Sequence, residues 1–214
     1  MNQPAAGLRE RKKERTRQAL SETAIAMFLA SGFDQVSVAD IAAAAEVSKP
    51  TLFKYFPTKE DLVLHRIADH EDEAARTVAT RRPGETPLAA LRRHFLDGLA
   101  RRDPVTGLSD HPAVLAFHRL LYTTPSLAAR IPQFTGRAEA ALAAALRDTT
   151  PTDPDDITPE VAAAQVIATQ RVLALRTYHQ IAAGHPADTL YPAARTAAHQ
   201  AFDLLTTGLT PTYA

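Results

Sequence analysis

The chain has 214 residues, 45% of them hydrophobic, with 24 basic against 24 acidic side chains and no cysteine. That is enough apolar material for one large domain or two small ones, and it excludes a disulfide framework and a thiolate metal site, in keeping with a reducing cytoplasm. There is no apolar run of ~18 residues, and the start MNQPAAGLRERKKERTR lacks the greasy core of a leader, so neither a membrane partner nor a targeting segment is expected.

Neutrality overall hides a local excess: residues 1–60 carry nine Lys or Arg against seven acids, and 61–214 carry fifteen against seventeen. The excess sits at Arg9, Arg11, Lys12, Lys13, Arg15 and Arg17, interrupted only by Glu10 and Glu14. Such a run reads as a solvated helix end or, ahead of a DNA-reading element, as a contact to phosphates or a minor groove. A first helix is predicted from about Leu8 or Arg9 to Ser31, because Leu20, Ala24, Met27 and Phe28 form one apolar stripe. Gly32 supplies the left-handed residue that closes it, and Phe33 folds back onto the last turn.

The next stretch, Ser37 to Phe56, reads as two short helices and a tight turn. Ser37 precedes Val38, Ile41, Ala42 and Ala45 at helical spacing, with Asp40 where a capping-box acid sits. Ser48 starts a second helix whose Pro50 needs no amide partner, and Leu52 and Phe56 share a face with Val47 nearby. Lys49, Thr51, Phe53, Lys54 and Tyr55 are left outward, an outer face that suits a DNA major groove. PTKEDL then opens a fourth helix, capped by Thr58 with Asp61 as its box partner and expected to continue through His70, Glu71, Asp72, Glu73 and Arg76 to RRPGETP at 81–87.

From there a start signal repeats at Thr86-Pro87, Asp103-Pro104, Thr124-Pro125 and Thr158-Pro159, each a capping oxygen before proline. A fifth helix carries Leu88, Leu91, Phe95, Leu96 and Leu99. Two or three helices follow between Pro104 and Leu146, with Pro132 as a kink or break. DTTPTDPDD at 148–156 is a loop. Two long helices, Thr158 to Ala183 and about Asp188 to Gly208, complete an all-α chain. The last sets Ala194, Ala197, Ala198, Ala201, Phe202 and Leu205 on a small-residue face open to close approach, as an interior helix or, in the favoured reading, as half of a two-fold interface built from the last two helices of each subunit.

Polar groups on the apolar helices of the C-terminal part, His94, His118, Arg119, Tyr122, Gln170, Arg171, Tyr178 and His179, are candidates to line a small-molecule pocket, because a buried polar group needs a partner. Arg171, amid Val166, Ile167, Val172 and Leu173, is the preferred anchor for an acidic group on a hydrophobic ligand. His65 and Asp69 lie four apart on one helix face, but His70 turns away, so a solvated helix accounts for them better than a metal site. No GxSxG and no phosphate-binding glycine loop is present, and no catalytic residue, metal or cofactor is expected.

The series Ala24, Met27, Phe28, Gly32, Phe33, then Ser37-Val38 with Ile41-Ala42, then Val47 to Leu62 (VSKPTLFKYFPTKEDL) resembles the TetR family (TetR/AcrR-like) of transcriptional regulators over residues 15–62. The resemblance implies a nine- or ten-helix, two-domain regulator, with a DNA-binding domain at 1–61 around a helix-turn-helix at about 37–56 and a ligand-binding and dimerisation domain at 62–214. It further implies a cytoplasmic homodimer, nucleoid-associated when bound, that binds a palindromic double-stranded operator and leaves it when a small-molecule effector enters the C-terminal domain. By motif position Lys49, Pro50, Thr51, Phe53, Lys54 and Tyr55 would meet the DNA, and Lys59, the first amides of the fourth helix and Ser37 would hold phosphates. Ser48, Arg15 and Arg17 complete that set. Phe53 stands where tyrosine is frequent, and Glu46 stands in the turn where glycine is usual. The alternatives are a DNA-binding regulator without a ligand and, more remotely, an all-helical enzyme carrying a DNA-binding module.

Overall fold

The computed structural model describes residues 4–149, 153 and 155–208, with side chains from Glu10 on, and the described residues are all-α. The helices are α1 Pro4–Ser31, α2 Val38–Ala44, α3 Lys49–Tyr55, α4 Lys59–Ala68, α5 Glu73–Ala79, α6 Pro87–Arg101, α7 Pro112–Thr123, α8 Pro125–Ala128, α9 Ile131–Arg147, α10 Thr158–Ala182 and α11 Ala187–Gly208, with a 3-10 turn at Pro104–Thr106. They form two compact units, one of Met1–Asp69 with Ala116–Ile131 and one of His70–Leu115 with Pro132–Ala214. The units follow no single cut at 61/62, because 62–69 and 116–131 cluster with the N-terminal part.

In the first unit α1 packs against α2 and α4. Leu20, Ala24, Ile25 and Phe28 of α1 are buried with Ile41, Ala42, Leu52, Phe56, Leu62, Val63 and Leu64, while Met27 is only half-buried. One buried polar tie crosses this core: the Ser21 hydroxyl donates to the Leu62 carbonyl at 2.6 Å, so Ser21 joins the two helices without an unmet polar group. Gly32 takes φ +88°, its amide donating to the Phe28 carbonyl at 2.8 Å, and the Phe33 ring returns to within 4.8 Å of the Phe28 ring. Phe117, Leu120, Leu121 and Leu127 are buried in α7 and α8, and α8 lies against α4.

The second unit is organised on α6, α10 and α11. Leu88, Leu91, Phe95 and Leu99 of α6 meet Val166 and Leu173 of α10 and Ala198, Phe202 and Leu205 of α11, with the Phe95 and Phe202 rings 6.2 Å apart. The 3-10 turn presses on α10 so closely that a Cβ at Gly107 (φ +73°) would stand 2.0 Å from the Ala174 carbonyl oxygen, which only glycine avoids.

Several expected element edges shift. The fourth helix breaks after Ala68 into α4 and α5, where the Glu73 amide bonds the His70 carbonyl at 3.2 Å and the Asp72 side chain makes no cap bond. Thr86 and Asp103 cap as expected, at 3.2 and 3.1 Å, whereas Thr124 makes no cap bond and Thr158 lies inside α10, held by Asp156. Pro132 is the second residue of α9 and starts it instead of kinking it; Pro192 is the proline inside a helix, in α11. The loop expected over 148–156 lies partly outside the described residues.

Candidate nucleic-acid interface

Three short-range capping devices build the interface in the first unit. The Ser37 hydroxyl accepts from the Asp40 amide at 3.2 Å, and the Asp40 carboxylate takes the Ser37 amide at 2.9 Å and hydroxyl at 2.6 Å. Those two hydrogen bonds, the hydroxyl's first, hold the Asp40 carboxyl below its ordinary range. Thr58 and Asp61 repeat the box at α4. Ser48 accepts from the Thr51 amide at 3.2 Å, and the Ser48 and Thr51 hydroxyls share a 2.8 Å hydrogen bond. Between α2 and α3 the chain turns at Glu46, whose φ of +54° is left-handed. The Val47 amide then bonds the Ala42 carbonyl at 2.9 Å, which fixes the angle at which α3 leaves.

Leu52 and Phe56 are buried and anchor α3 through one face. The opposite face leaves Lys49, Pro50, Phe53 and Lys54 exposed, Phe53 by 45%, with Thr51 and Tyr55 half-buried at its margin. Two ammonium groups, an aromatic ring edge and a phenol on seven residues can donate to base acceptors and phosphates and can contact a thymine methyl. Arg15 on α1 is exposed, and Arg17 is half-buried with its Nε enclosed and without a hydrogen-bond partner among the described residues.

Two residues of the expected DNA set are placed otherwise. The Ser37 amide and hydroxyl both donate within the α2 box, which turns Ser37 toward holding the helix start. The Lys59 ammonium bonds the Phe33 carbonyl and stands 4.3 Å from the Phe33 ring centroid and 5.3 Å from that of Phe28, so it pins α4 to the end of α1 instead of reaching outward. What α4 still offers a phosphate are the first backbone amides. Sequence reasoning missed Arg130: its guanidinium donates to Thr58 Oγ1 at 3.0 Å and to Asp61 Oδ1 at 2.6 Å. No local pattern marks it, because the partners are 69 and 72 residues away.

Acidic and histidine side chains also gather between α1 and α4. Glu14, His65 and Asp69 bring one ligand atom each to within 4.8 Å of one another, whereas the His70 Nδ1 lies 2.8 Å from Glu73 Oε2. With two of the three exposed, and with His65 Nε2 3.3 Å from Glu14 Oε1 and its ring 5.4 Å from Phe56, the group reads as a closure of α1 onto α4.

The eight pocket candidates divide between the units. His118, Arg119 and Tyr122 belong to the first, where burial and then the nearby Arg66 charge push the His118 imidazole below its ordinary value. In the second, His94 Nε2 already meets Glu73 Oε1 at 2.8 Å, Gln170 and Tyr178 are half-buried, and Arg171 and His179 are exposed. Contrary to expectation, Arg171 is exposed and so does not need a buried anion. Val166 and Leu173 bury the inner face of α10, and Arg171 and Val172 point to solvent from the other.

Over residues 20–65 the chain matches the family described as bacterial regulatory proteins, tetR family. It is 34% identical over 177 residues to the HTH-type transcriptional regulator TcmR of Streptomyces glaucescens, covering 80% of this chain and 77% of that one. It is 30% identical over 159 residues to the HTH-type transcriptional repressor KstR of Rhodococcus jostii RHA1, covering 73% and 68%. A solved SmeT–triclosan complex shares the fold with a TM-score of 0.57 and 16% identity, over 94% of this chain and 95% of that one.

Proposed function

We propose, on the premise that the chain belongs to the tetR family of bacterial regulatory proteins, that it is a DNA-binding transcriptional regulator that represses from a palindromic operator and is released by a small hydrophobic effector. The observation that carries the reading is α3: seven residues, capped by Ser48, anchored by Leu52 and Phe56, and presenting Lys49, Pro50, Phe53 and Lys54 to solvent. An element so short is held by its neighbours, and an exposed aromatic between two cations has no use inside this fold. It fits a major groove, with Lys49 and Lys54 as donors to guanine O6 or N7 and Phe53 against thymine methyls.

Residues 1–61 then carry operator recognition and 62–214 effector binding and pairing of subunits, with 62–69 and 116–131 acting as part of the reading head. Arg15, Arg17 and Tyr55 add phosphate contacts, and Ser37, Ser48 and Lys59 hold helix starts. Within the second unit the half-buried Gln170 and Tyr178 are the polar groups we assign to an effector. A relative named as a repressor and a neighbour solved with triclosan support repression and a hydrophobic effector. Among the described residues no helix is long and apolar enough to cross a membrane.

The test is titration of DNA selected by the protein from a random pool. Lys54→Ala is expected to weaken binding about tenfold and Tyr55→Phe about threefold, with helix content unchanged. Undiminished binding in both variants would sink the assignment of α3 as the reading helix.

A further inference from the structure

We propose that Arg130 is a positioning residue for operator binding: it cancels the charge of Asp61 at the start of α4, so that the first amides of that helix can donate to a DNA phosphate. The inference rests on the DNA-binding reading above and adds to it a residue from outside the N-terminal motif.

The capping box of α4 carries a built-in conflict. Asp61 is needed at the third position of α4, where its Oδ2 takes the Thr58 amide at 2.9 Å and hydroxyl at 2.7 Å. The Asp61 amide is returned to Thr58 Oγ1 at 3.2 Å. The amides of Lys59 and Glu60 then have no partner inside the helix and form the positive end of its dipole. A phosphate drawn to them would stand beside an ionised Asp61, with Glu60 as a second acid in the same turn. Burial works against ionisation of Asp61, but the hydrogen bonds from Thr58 and Arg130 outweigh it and hold the carboxyl below its ordinary range.

A cation beside Asp61 would remove this conflict, and the nearest in sequence does not supply it. The Lys59 ammonium faces the Phe33 carbonyl and two phenyl rings. Arg130 does: one guanidinium grips both members of the box, Asp61 Oδ1 at 2.6 Å and Thr58 Oγ1 at 3.0 Å. Its side chain is 32% exposed and that of Asp61 21%, so the pair is open to solvent at the start of α4. A charge-assisted, two-point grip of this kind fixes direction as well as charge.

The experiment is a double-mutant cycle on DNA selected by the wild-type protein, with helix content checked for each variant. Arg130→Ala is expected to weaken operator binding about tenfold, and Arg130→Lys, which keeps the charge but not the fork, by about threefold. Asp61→Asn keeps a cap acceptor and removes the charge, so Asp61→Asn with Arg130→Ala should bind within about threefold of the wild type. Unchanged binding by Arg130→Ala overturns the proposal. So does a double variant that stays weak while the slope of log affinity against log salt falls by ~0.9, which would make Arg130 a direct phosphate ligand. A wild-type protein that selects no DNA sequence would overturn the regulator reading itself and this inference with it.

Discussion

At the scale of single residues, the reading head contains one conformational misfit. Glu46 occupies a left-handed position at φ +54° between α2 and α3, where a side chain costs ~1–2 kcal/mol. Glycine would relieve that cost, while its greater freedom in the unfolded chain would take back ~0.5–1 kcal/mol. Glu46→Gly is therefore expected to stabilise the protein by roughly 0.5–1 kcal/mol, raising the melting temperature by ~1–4 °C in a thermal scan, with operator affinity unchanged. A lower melting temperature would mean that the Glu46 side chain contributes contacts outweighing its backbone strain. The misfit was legible in the sequence, as were the caps at Ser37, Ser48 and Thr58, because each depends on residues three apart. Arg130 and the turned-in ammonium of Lys59 were not legible. The Lys59–Phe33 contact spans 26 residues and Arg130–Asp61 spans 69, and nothing in local spacing reports which distant carbonyl or carboxylate a cation will find.

At the scale of elements, helix existence followed from apolar periodicity, and the errors lie where polar residues chose among partners. The stretch from Asp69 to Asp72 reads as a continuing helix, yet the chain turns there, and Glu73 just beyond the turn meets two histidines, His70 Nδ1 and His94 Nε2, each at 2.8 Å. The hydrogen bond from His70, then that from His94, holds the Glu73 carboxyl well below its ordinary range. Beyond α5 a second clasp closes the connection to α6: Arg93 takes both Glu85 oxygens, at 2.7 and 3.0 Å. The Arg93 guanidinium, then the Arg82 amide, lowers the Glu85 carboxyl from 4.5 to about 2. A depressed carboxyl contributes stability that is complete above its unfolded value and lost as pH falls through its folded value. The stability gap between the wild type and Glu85→Gln should thus be constant above pH ~5 and close between 4.5 and about 2, read from thermal unfolding across that range. A gap that persists undiminished to the acid end would show that Glu85 acts by packing and not by its charge.

At the scale of the whole molecule, a chain with 24 basic and 24 acidic groups gains no general attraction to DNA, so affinity is expected from local charge on the head and, in a dimer, from two heads acting together. Part of the expected pairing face of the last helix is already covered within the subunit. Ala198, Phe202 and Leu205 are buried in the subunit's own core, and Ala194, Ala197 and Ala201 pack against it. Periodicity shows that such a stripe will be covered but not which helix covers it. The other sides of α10 and α11 leave three large apolar side chains open among polar ones: Val161, Val172 and Leu204 are 41%, 58% and 74% exposed. On α10, Val161, Gln165, Ala168 and Val172 recur at intervals of four, three and four, the seam of a helix that packs along its length against another. Pairing of two subunits through α10 and α11 is therefore expected on this outer seam, forming a four-helix bundle across the two-fold axis. Val172→Asp with Leu204→Asp places two charges on each side of that contact. The double variant should sediment as a monomer at micromolar concentration with wild-type helix content, and lose most of its operator affinity because each half-site is then bound alone. A dimer that survives both substitutions would place the interface on another face.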